Sequence, residues 1–103
     1  MSKLTSKEKA KIRKYAQRIK PTFQIGSLGF HKEVVQAINE GLNNKEVLKI
    51  KVNRDDKFDK KIVNLIAQEM EEKLSCQIAG VIGTTIIIYK ENLNLAEDLK
   101  ILK

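Results

Sequence analysis

The loop with the clearest potential for binding chemistry is a pair of glycines separated by two residues. Gly26-Ser27-Leu28-Gly29 follows a short β-type run and precedes a segment with helical periodicity. Because glycine has no Cβ, the backbone of such a loop can approach a ligand closely. The N–H groups at the start of the next helix then point toward the loop, which suits a phosphate group. On its own, the motif is more often a simple tight turn.

A group of cations precedes this loop. Thr5 and Glu8 have the spacing of a capping box, and the apolar spacing that follows predicts a helix over residues 6–19, which Pro21 ends. At about 100° per residue, four cations fall within an arc of about 60° beside the apolar stripe. This set, called the ridge below, consists of Lys7, Lys11, Lys14 and Arg18. The other flank carries Lys9, Arg13 and Lys20.

The excess positive charge of the whole chain lies in the first 20 residues. The 103 residues include 20 Lys and Arg and 13 Asp and Glu, a formal net charge of +7. Residues 1–20 hold eight basic residues against Glu8 alone, whereas residues 21–103 hold equal numbers of both signs. Such asymmetry indicates a polyanionic partner, nucleic acid first and an anionic membrane surface second. A lysine-rich helix face kept for solubility is the simpler alternative.

Apolar periodicity predicts the elements that position these residues. Helices are predicted at about 6–19, 31–44 and 59–74, and strands at about 22–25, 47–52, 76–82 and 85–90. The order α-β-α-β-α-β-β predicts an α/β fold of the α+β two-layer sandwich type. Its four-stranded mixed sheet would carry helices 2 and 3, with helix 1 packed nearby. Within residues 47–52, Leu48, Ile50 and Val52 should face the helices, and Lys49 and Lys51 should point away.

The length fits one domain, which we expect over residues 1–90, followed by a tail over 91–103 with weak helical spacing. The longest apolar run, residues 86–89, is far shorter than the roughly 20 residues of a membrane helix. The N-terminal lysines are not followed by an apolar stretch, so we expect no signal peptide. These features favour a cytoplasmic protein that does not enter a membrane, and we expect it to be a monomer.

Few other side chains offer chemistry. The single cysteine, Cys76, excludes an intramolecular disulfide and is expected to be a buried structural thiol. His31 could donate to a phosphate, although an exposed helix residue is the simpler interpretation. Asp55, Asp56 and Asp59 lack the EF-hand spacing and fit a turn and a helix start. No acid–base pair or activated nucleophile can be assembled, so we expect no enzymatic activity, no metal and no cofactor.

An ordered series of segments resembles a known family. The segments are Leu4-Thr5-Ser6-Lys7, Lys20-Pro21, Gln24-Ile25-Gly26 with Gly29, residues 47–52, and Val81-Ile82-Gly83 leading to Tyr89-Lys90. They follow one another as in the bacterial stand-alone CRM domain (chloroplast RNA splicing and ribosome maturation), the YhbY-like proteins. The resemblance covers about residues 3–90 and is far more specific than any single segment.

The resemblance implies a fold similar to the C-terminal domain of bacterial translation initiation factor three. It also implies binding to structured ribosomal RNA in precursors of the large ribosomal subunit, with ribosomal proteins as further partners. The family's loop usually reads Gly-Lys-x-Gly. Here Ser27 and Leu28 fill the middle, and Lys32 or His31 could replace part of the missing charge.

Two functional classes remain open on the sequence. The first is an RNA-binding ribosome assembly factor. Its predicted RNA-binding residues are Lys7, Lys11, Arg13, Lys14, Arg18, Lys20, Gly26, Ser27, Leu28, Gly29 and Lys32. The second is a non-enzymatic protein-interaction or anionic-surface-binding module in which helix 1 is the adhesive element. The narrow apolar stripe of helix 1, without Trp or Phe, disfavours a bilayer.

Overall fold

The computed structural model describes residues 3–25, 32–52 and 60–92, and these residues form three helices and four strands. The helices are α1 (Ser6–Ala16), α2 (Lys32–Gly41) and α3 (Lys60–Leu74). The strands are β1 (Phe23–Ile25), β2 (Val47–Val52), β3 (Gln77–Ile82) and β4 (Thr85–Tyr89). The predicted element order is confirmed. The predicted tail helix and the first residues of predicted helices 2 and 3 lie outside the described residues.

Helix α1 ends three residues earlier than its apolar spacing predicts. After Ala16 the chain forms tighter turns, in which Arg18 N–H donates to the Tyr15 carbonyl at 3.0 Å and Ile19 N–H to the Ala16 carbonyl at 3.3 Å. Such turns commonly finish a helix. Ile19 nevertheless packs with the residues that α1 buries, so its apolar character is used for packing although it lies outside the helix.

The strands form a mixed sheet in the order β1-β2-β4-β3. Strands β1 and β2 are parallel, with Ile25 beside Val52, and β4 is antiparallel to both β2 and β3. The parallel pair follows from the helical crossover between β1 and β2, as predicted. The β3–β4 hairpin turns at Gly83, whose φ of 60° is the left-handed conformation that glycine adopts readily. The predicted four-stranded mixed sheet is therefore confirmed.

Helices α2 and α3 cover one face of this sheet. The cluster of buried side chains between the sheet and these two helices is called the main core below. The predicted inward residues of β2, which are Leu48, Ile50 and Val52, are all fully buried in it. Ile38 of α2 and Met70 of α3 pack in the same cluster. Burial of such side chains contributes about 1.5–3 kcal/mol each, so this layer supplies much of the stability.

Helix α1 covers the opposite face. Its buried residues Ile12 and Ala16 pack in a second cluster made of Val47, Ala79, Ile87 and Tyr89 from the strands. Helices therefore lie on both sides of the sheet, and the two-layer arrangement expected from the sequence gains a third, smaller layer. The physical reason lies in β4, where residues 86–89 are apolar at every position and so bury both faces of the strand.

A polar contact ties the end of β4 to the connection between α2 and β2. Glu46 is 2% exposed, and its carboxylate accepts the Asn92 backbone N–H at 2.9 Å. The Asn92 side-chain amide donates to the carbonyls of Leu42 at 3.1 Å and Asn43 at 2.9 Å. The first bond offsets part of the cost of burying the Glu46 carboxylate, and all three fix the chain just after β4.

Candidate nucleic-acid interface

The start of α1 is fixed by the predicted capping box. The Thr5 hydroxyl accepts the Glu8 N–H at 3.1 Å, and the Glu8 carboxylate accepts the Thr5 N–H at 3.0 Å. Two N–H groups that would otherwise lack a helical partner are thus satisfied, and a negative charge lies at the positive end of the helix. Glu8 is the one acidic residue of α1, and it is occupied by its own helix cap.

Tethers at both ends hold α1 on the sheet. Near its start, the Leu4 N–H donates to the Gln77 side-chain carbonyl at 2.6 Å. Beyond its end, the Lys49 ammonium donates to the Ile19 carbonyl at 3.3 Å. Together with the fully buried Ile12 and Ala16, these bonds fix which side of the helix faces solvent.

The ridge lies on the solvent side of this fixed helix. Lys7, Lys11, Lys14 and Arg18 are all exposed, as the helical spacing predicts. Arg18 lies two residues beyond the end of α1, so the ridge continues from the helix into the turn that follows. Four exposed cations at this spacing form an elongated positive surface suited to a chain of phosphates.

Arg13 contacts the sheet, whereas the ridge residues are exposed to solvent. Its side chain lies across β3, where its Nη1 donates to the Ala79 carbonyl at 2.9 Å. A Cβ added at Gly80 would lie only 2.6 Å from Arg13 Cδ, so glycine at this position leaves room for the arginine. This position is next to the irregular register of β3 between Ile78 and Gly80. Arg13 therefore helps to hold α1 on the sheet.

Comparison with known families decides the identity of the domain. Residues 4–90 match the family model described as the CRS1 / YhbY (CRM) domain. The match includes every helix and strand described above. This chain belongs to the CRM domain family. The resemblance seen in the sequence is therefore confirmed.

Relatives of this CRM domain are named as RNA-binding proteins. The chain is 33% identical over 89 residues to "Probable RNA-binding protein YqeI" of Bacillus subtilis, covering 86% of this chain and 90% of the relative. It is 29% identical over 91 residues to a protein named "RNA-binding protein" from Haemophilus influenzae, covering 87% and 88% of the two chains. The solution structure of the hypothetical protein SAV1595 from Staphylococcus aureus, for which RNA binding is proposed, matches with a TM-score of 0.75 at 32% identity. That match covers 95% of this chain and 98% of the other.

The glycine loop of the CRM domain lies between two described elements. Strand β1 ends at Ile25 and α2 begins at Lys32, which fits the predicted strand–loop–helix order. Gly26, Ser27, Leu28, Gly29 and His31 lie outside the described residues. The predicted cations on either side of the loop, Lys20 and Lys32, are both exposed.

The two lysines of β2 differ in their surroundings. Both lie on the face predicted for them, opposite Leu48 and Ile50. Lys51 is exposed, whereas Lys49 is half-buried and holds the turn after α1 through Ile19. Sequence reasoning missed the roles of Lys49 and Arg13 as tethers. The signal available was Gly80, an unusual residue within a strand, which can mark the close approach of another group.

Among the described residues of this CRM domain, Cys76 is a further group that could be reactive. Cys76 is buried, as predicted, and burial, followed by the nearby charge of Glu71, raises the pKa of its thiol to about 11. It is therefore protonated and a weak nucleophile at neutral pH. Within the described ranges, no three His, Cys, Asp or Glu side chains group to hold a metal ion. No helix in that part of the chain is long and apolar enough to cross a membrane. The three aspartates at 55, 56 and 59 lie outside it.

Proposed function

We propose that this protein binds structured RNA, without catalysis, through the ridge of α1 and the glycine loop at residues 26–29. The observation that supports the proposal most strongly is the ridge itself, four exposed cations on a helix whose opposite side is fixed to the sheet. The names of the relatives support RNA as the polyanion. Phosphate contacts of this kind position a protein on RNA and contribute most of the affinity.

The proposed RNA is ribosomal RNA in precursors of the large ribosomal subunit, where the protein would act as an assembly factor. Ribosomal proteins are the proposed further partners, and the proposed working form is a monomer in the cytoplasm. Sedimentation of cell extract through a sucrose gradient tests this part. We expect the protein to migrate with large-subunit precursors, and a position wholly at the top of the gradient at low salt would contradict it.

The salt dependence of binding tests the role of the ridge. If the ridge neutralises about four to five phosphates, log K should fall with log[salt] with a slope of roughly −3 to −4. Lys7→Gln with Lys11→Gln should make this slope shallower by about 1.5 and weaken binding to different RNAs alike. The matched control is Lys61→Gln with Lys73→Gln, which removes the same charge from α3 on the other side of the sheet. If the two variants have equal slopes of log K against log[salt], the ridge does not contact RNA and its cations serve solubility instead.

The loop is tested by adding negative charge while both glycines are kept. Ser27→Asp with Leu28→Asp should repel a phosphate held by the loop and weaken RNA binding several-fold, with little change in melting temperature. Asn64→Asp with Gln68→Asp places the same two charges at exposed positions of α3 and serves as the control. Affinity equal to that of the control, in a folded variant, would exclude a phosphate contact at the loop.

A further inference from the structure

The α1 face of the sheet carries a second surface that the ridge and the glycine loop do not include. Each described strand contributes one side chain to it. The strand register places Gln24 beside Lys51, Lys51 opposite Thr85, and Thr85 opposite Ile82. Their chain neighbours Ile25, Val52, Ile86 and Val81 face α2 and α3 in the main core. Because side chains alternate along a strand, the set points to the side of α1. We call Gln24, Lys51, Thr85 and Ile82 the sheet row.

Helix α1 leaves the sheet row open. The strand residues that α1 buries, such as Val47 and Tyr89, lie toward the other end of the strands. Gln24 and Lys51 are exposed, Thr85 is half-buried, and Ile82 is 54% exposed. With neighbouring strands about 4.8 Å apart, the row is about 14 Å long from β1 to β3.

The described charged side chains within and next to the sheet row are all positive. Lys51 lies within the row, and Lys49 and Arg13 lie next to it on the same face. Among the described strands, no residue on this face is acidic. Glu8, the acid of α1, is occupied by its helix cap. The surface is therefore complementary to a polyanion and unsuited to a basic or purely apolar partner.

The side chains of the row match the chemistry of an RNA backbone. Lysine, glutamine and threonine are among the residues that contact phosphate and sugar oxygens in nucleic-acid complexes. The 2′-hydroxyl of a ribose can both donate and accept a hydrogen bond, and so can the Gln24 amide and the Thr85 hydroxyl. Ile82 offers an apolar surface to a ribose or base. The row contains no aromatic ring for stacking, so such a contact would depend on the backbone rather than on the base sequence.

We propose that an RNA strand crosses the open part of the sheet along the sheet row, from β3 toward β1, with Lys51 paired to a phosphate. This proposal rests on the RNA-binding function proposed above and adds a contact surface to it. The ridge, on the outer side of α1, would supply further electrostatic attraction to the same RNA.

Two matched pairs of variants test the sheet row, with a transcript of a bacterial large-subunit ribosomal RNA domain as the probe. Lys51→Gln and Lys61→Gln each remove one exposed lysine, from opposite sides of the sheet. A lost phosphate contact changes the salt slope by about 0.7–0.9, which is a roughly four- to sixfold loss of affinity at about 0.15 M salt. We expect this loss for Lys51→Gln and less than a twofold change for Lys61→Gln.

The second pair uses two exposed apolar residues on the two sides of the molecule. Ile82 is 54% exposed and Leu65 of α3 is 59% exposed, so Ile82→Glu and Leu65→Glu add the same charge at similar exposure. We expect Ile82→Glu to weaken binding at least about fourfold, and Leu65→Glu less than twofold. If Ile82→Glu does not fold, the photo-crosslinker p-benzoylphenylalanine replaces Ile82 and Leu65 in separate proteins. Crosslinks to the RNA from position 82, and not from position 65, would support the proposal.

The outcomes separate this proposal from the one it rests on. If Lys51→Gln and Lys61→Gln bind equally while the ridge variant binds weakly, the sheet row is overturned and RNA binding stands. Equal crosslinking from positions 82 and 65 also overturns the row. If the unmodified protein does not bind the transcript at low salt, both proposals fail.

Discussion

The contact between Arg13 and Gly80 allows the docking of α1 on the sheet to be tested quantitatively. A Cβ at Gly80 would lie 2.6 Å from Arg13 Cδ, closer than carbon atoms approach one another, and at a tight 3.1 Å from Cγ. In Gly80→Ala the flexible arginine must therefore move, and its 2.9 Å bond to the Ala79 carbonyl is lost. A hydrogen bond from a charged donor contributes about 1.5–3 kcal/mol when buried, so we expect about 1–2 kcal/mol for the half-buried Arg13.

A second effect of Gly80→Ala acts in the opposite direction, on the unfolded chain. The sign of the change in the free energy of unfolding therefore shows whether Arg13 lies across Gly80. The φ of Gly80 is not positive, so alanine can adopt its backbone conformation. Replacing glycine by alanine at such a position stabilises a protein by about 0.4–1 kcal/mol, because the unfolded chain loses freedom. With Arg13 present, Gly80→Ala should thus lower the free energy of unfolding, by about 0.8 kcal/mol at the middle of these ranges and by about 1.6 kcal/mol at most. In an Arg13→Ala background, the same change should raise it by about 0.4–1 kcal/mol.

Urea unfolding of the four proteins of this double-mutant cycle measures the coupling directly. We expect a coupling energy of about 1–2 kcal/mol, well above the deviation of about 0.3–0.5 kcal/mol seen for independent sites. If Gly80→Ala has the same effect with and without Arg13, the arginine does not lie across Gly80 in solution. In that case its tethering role is refuted.

Two further predictions concern stability. Leu48→Ala or Ile50→Ala should lower the free energy of unfolding by about 2–5 kcal/mol because both side chains are fully buried, whereas Lys51→Ala should change it by a few tenths. Urea midpoints in the reverse order would contradict the register of β2. Burial raises the pKa of Cys76 to about 11 and that of Tyr89 to about 12, so the folded state holds both protons more tightly than the unfolded state does. The free energy of unfolding should therefore fall as pH rises, above about 9 for the Cys76 share and above about 10 for the Tyr89 share, by up to about 1.4 kcal/mol per pH unit for each group. Tyr89→Phe should remove the tyrosine share of this slope in urea titrations between pH 8 and 11, and an unchanged slope would contradict the assignment.

Local sequence patterns determined the elements of this protein and one of its surfaces. The capping box at Thr5 and Glu8, the alternation in β2 and the helical spacing of the ridge depend on residues a few positions apart. The geometry of a single helix or strand converts such spacing directly into faces. For this reason the element order, the inward residues of β2 and the exposure of the ridge could all be predicted without the fold. The binding role of the ridge and of the glycine loop stays a prediction.

Tertiary structure alone decided which face of the sheet α1 covers. Both faces of β4 are apolar, and periodicity within α1 does not indicate which face it will meet. That placement in turn gives Arg13 and Lys49 their tethering partners, 66 and 30 residues away along the chain. The sheet row likewise exists only through strand register, because Gln24, Lys51, Thr85 and Ile82 come from four separate strands. Contacts between distant segments depend on how whole elements pack, and no local spacing encodes that packing.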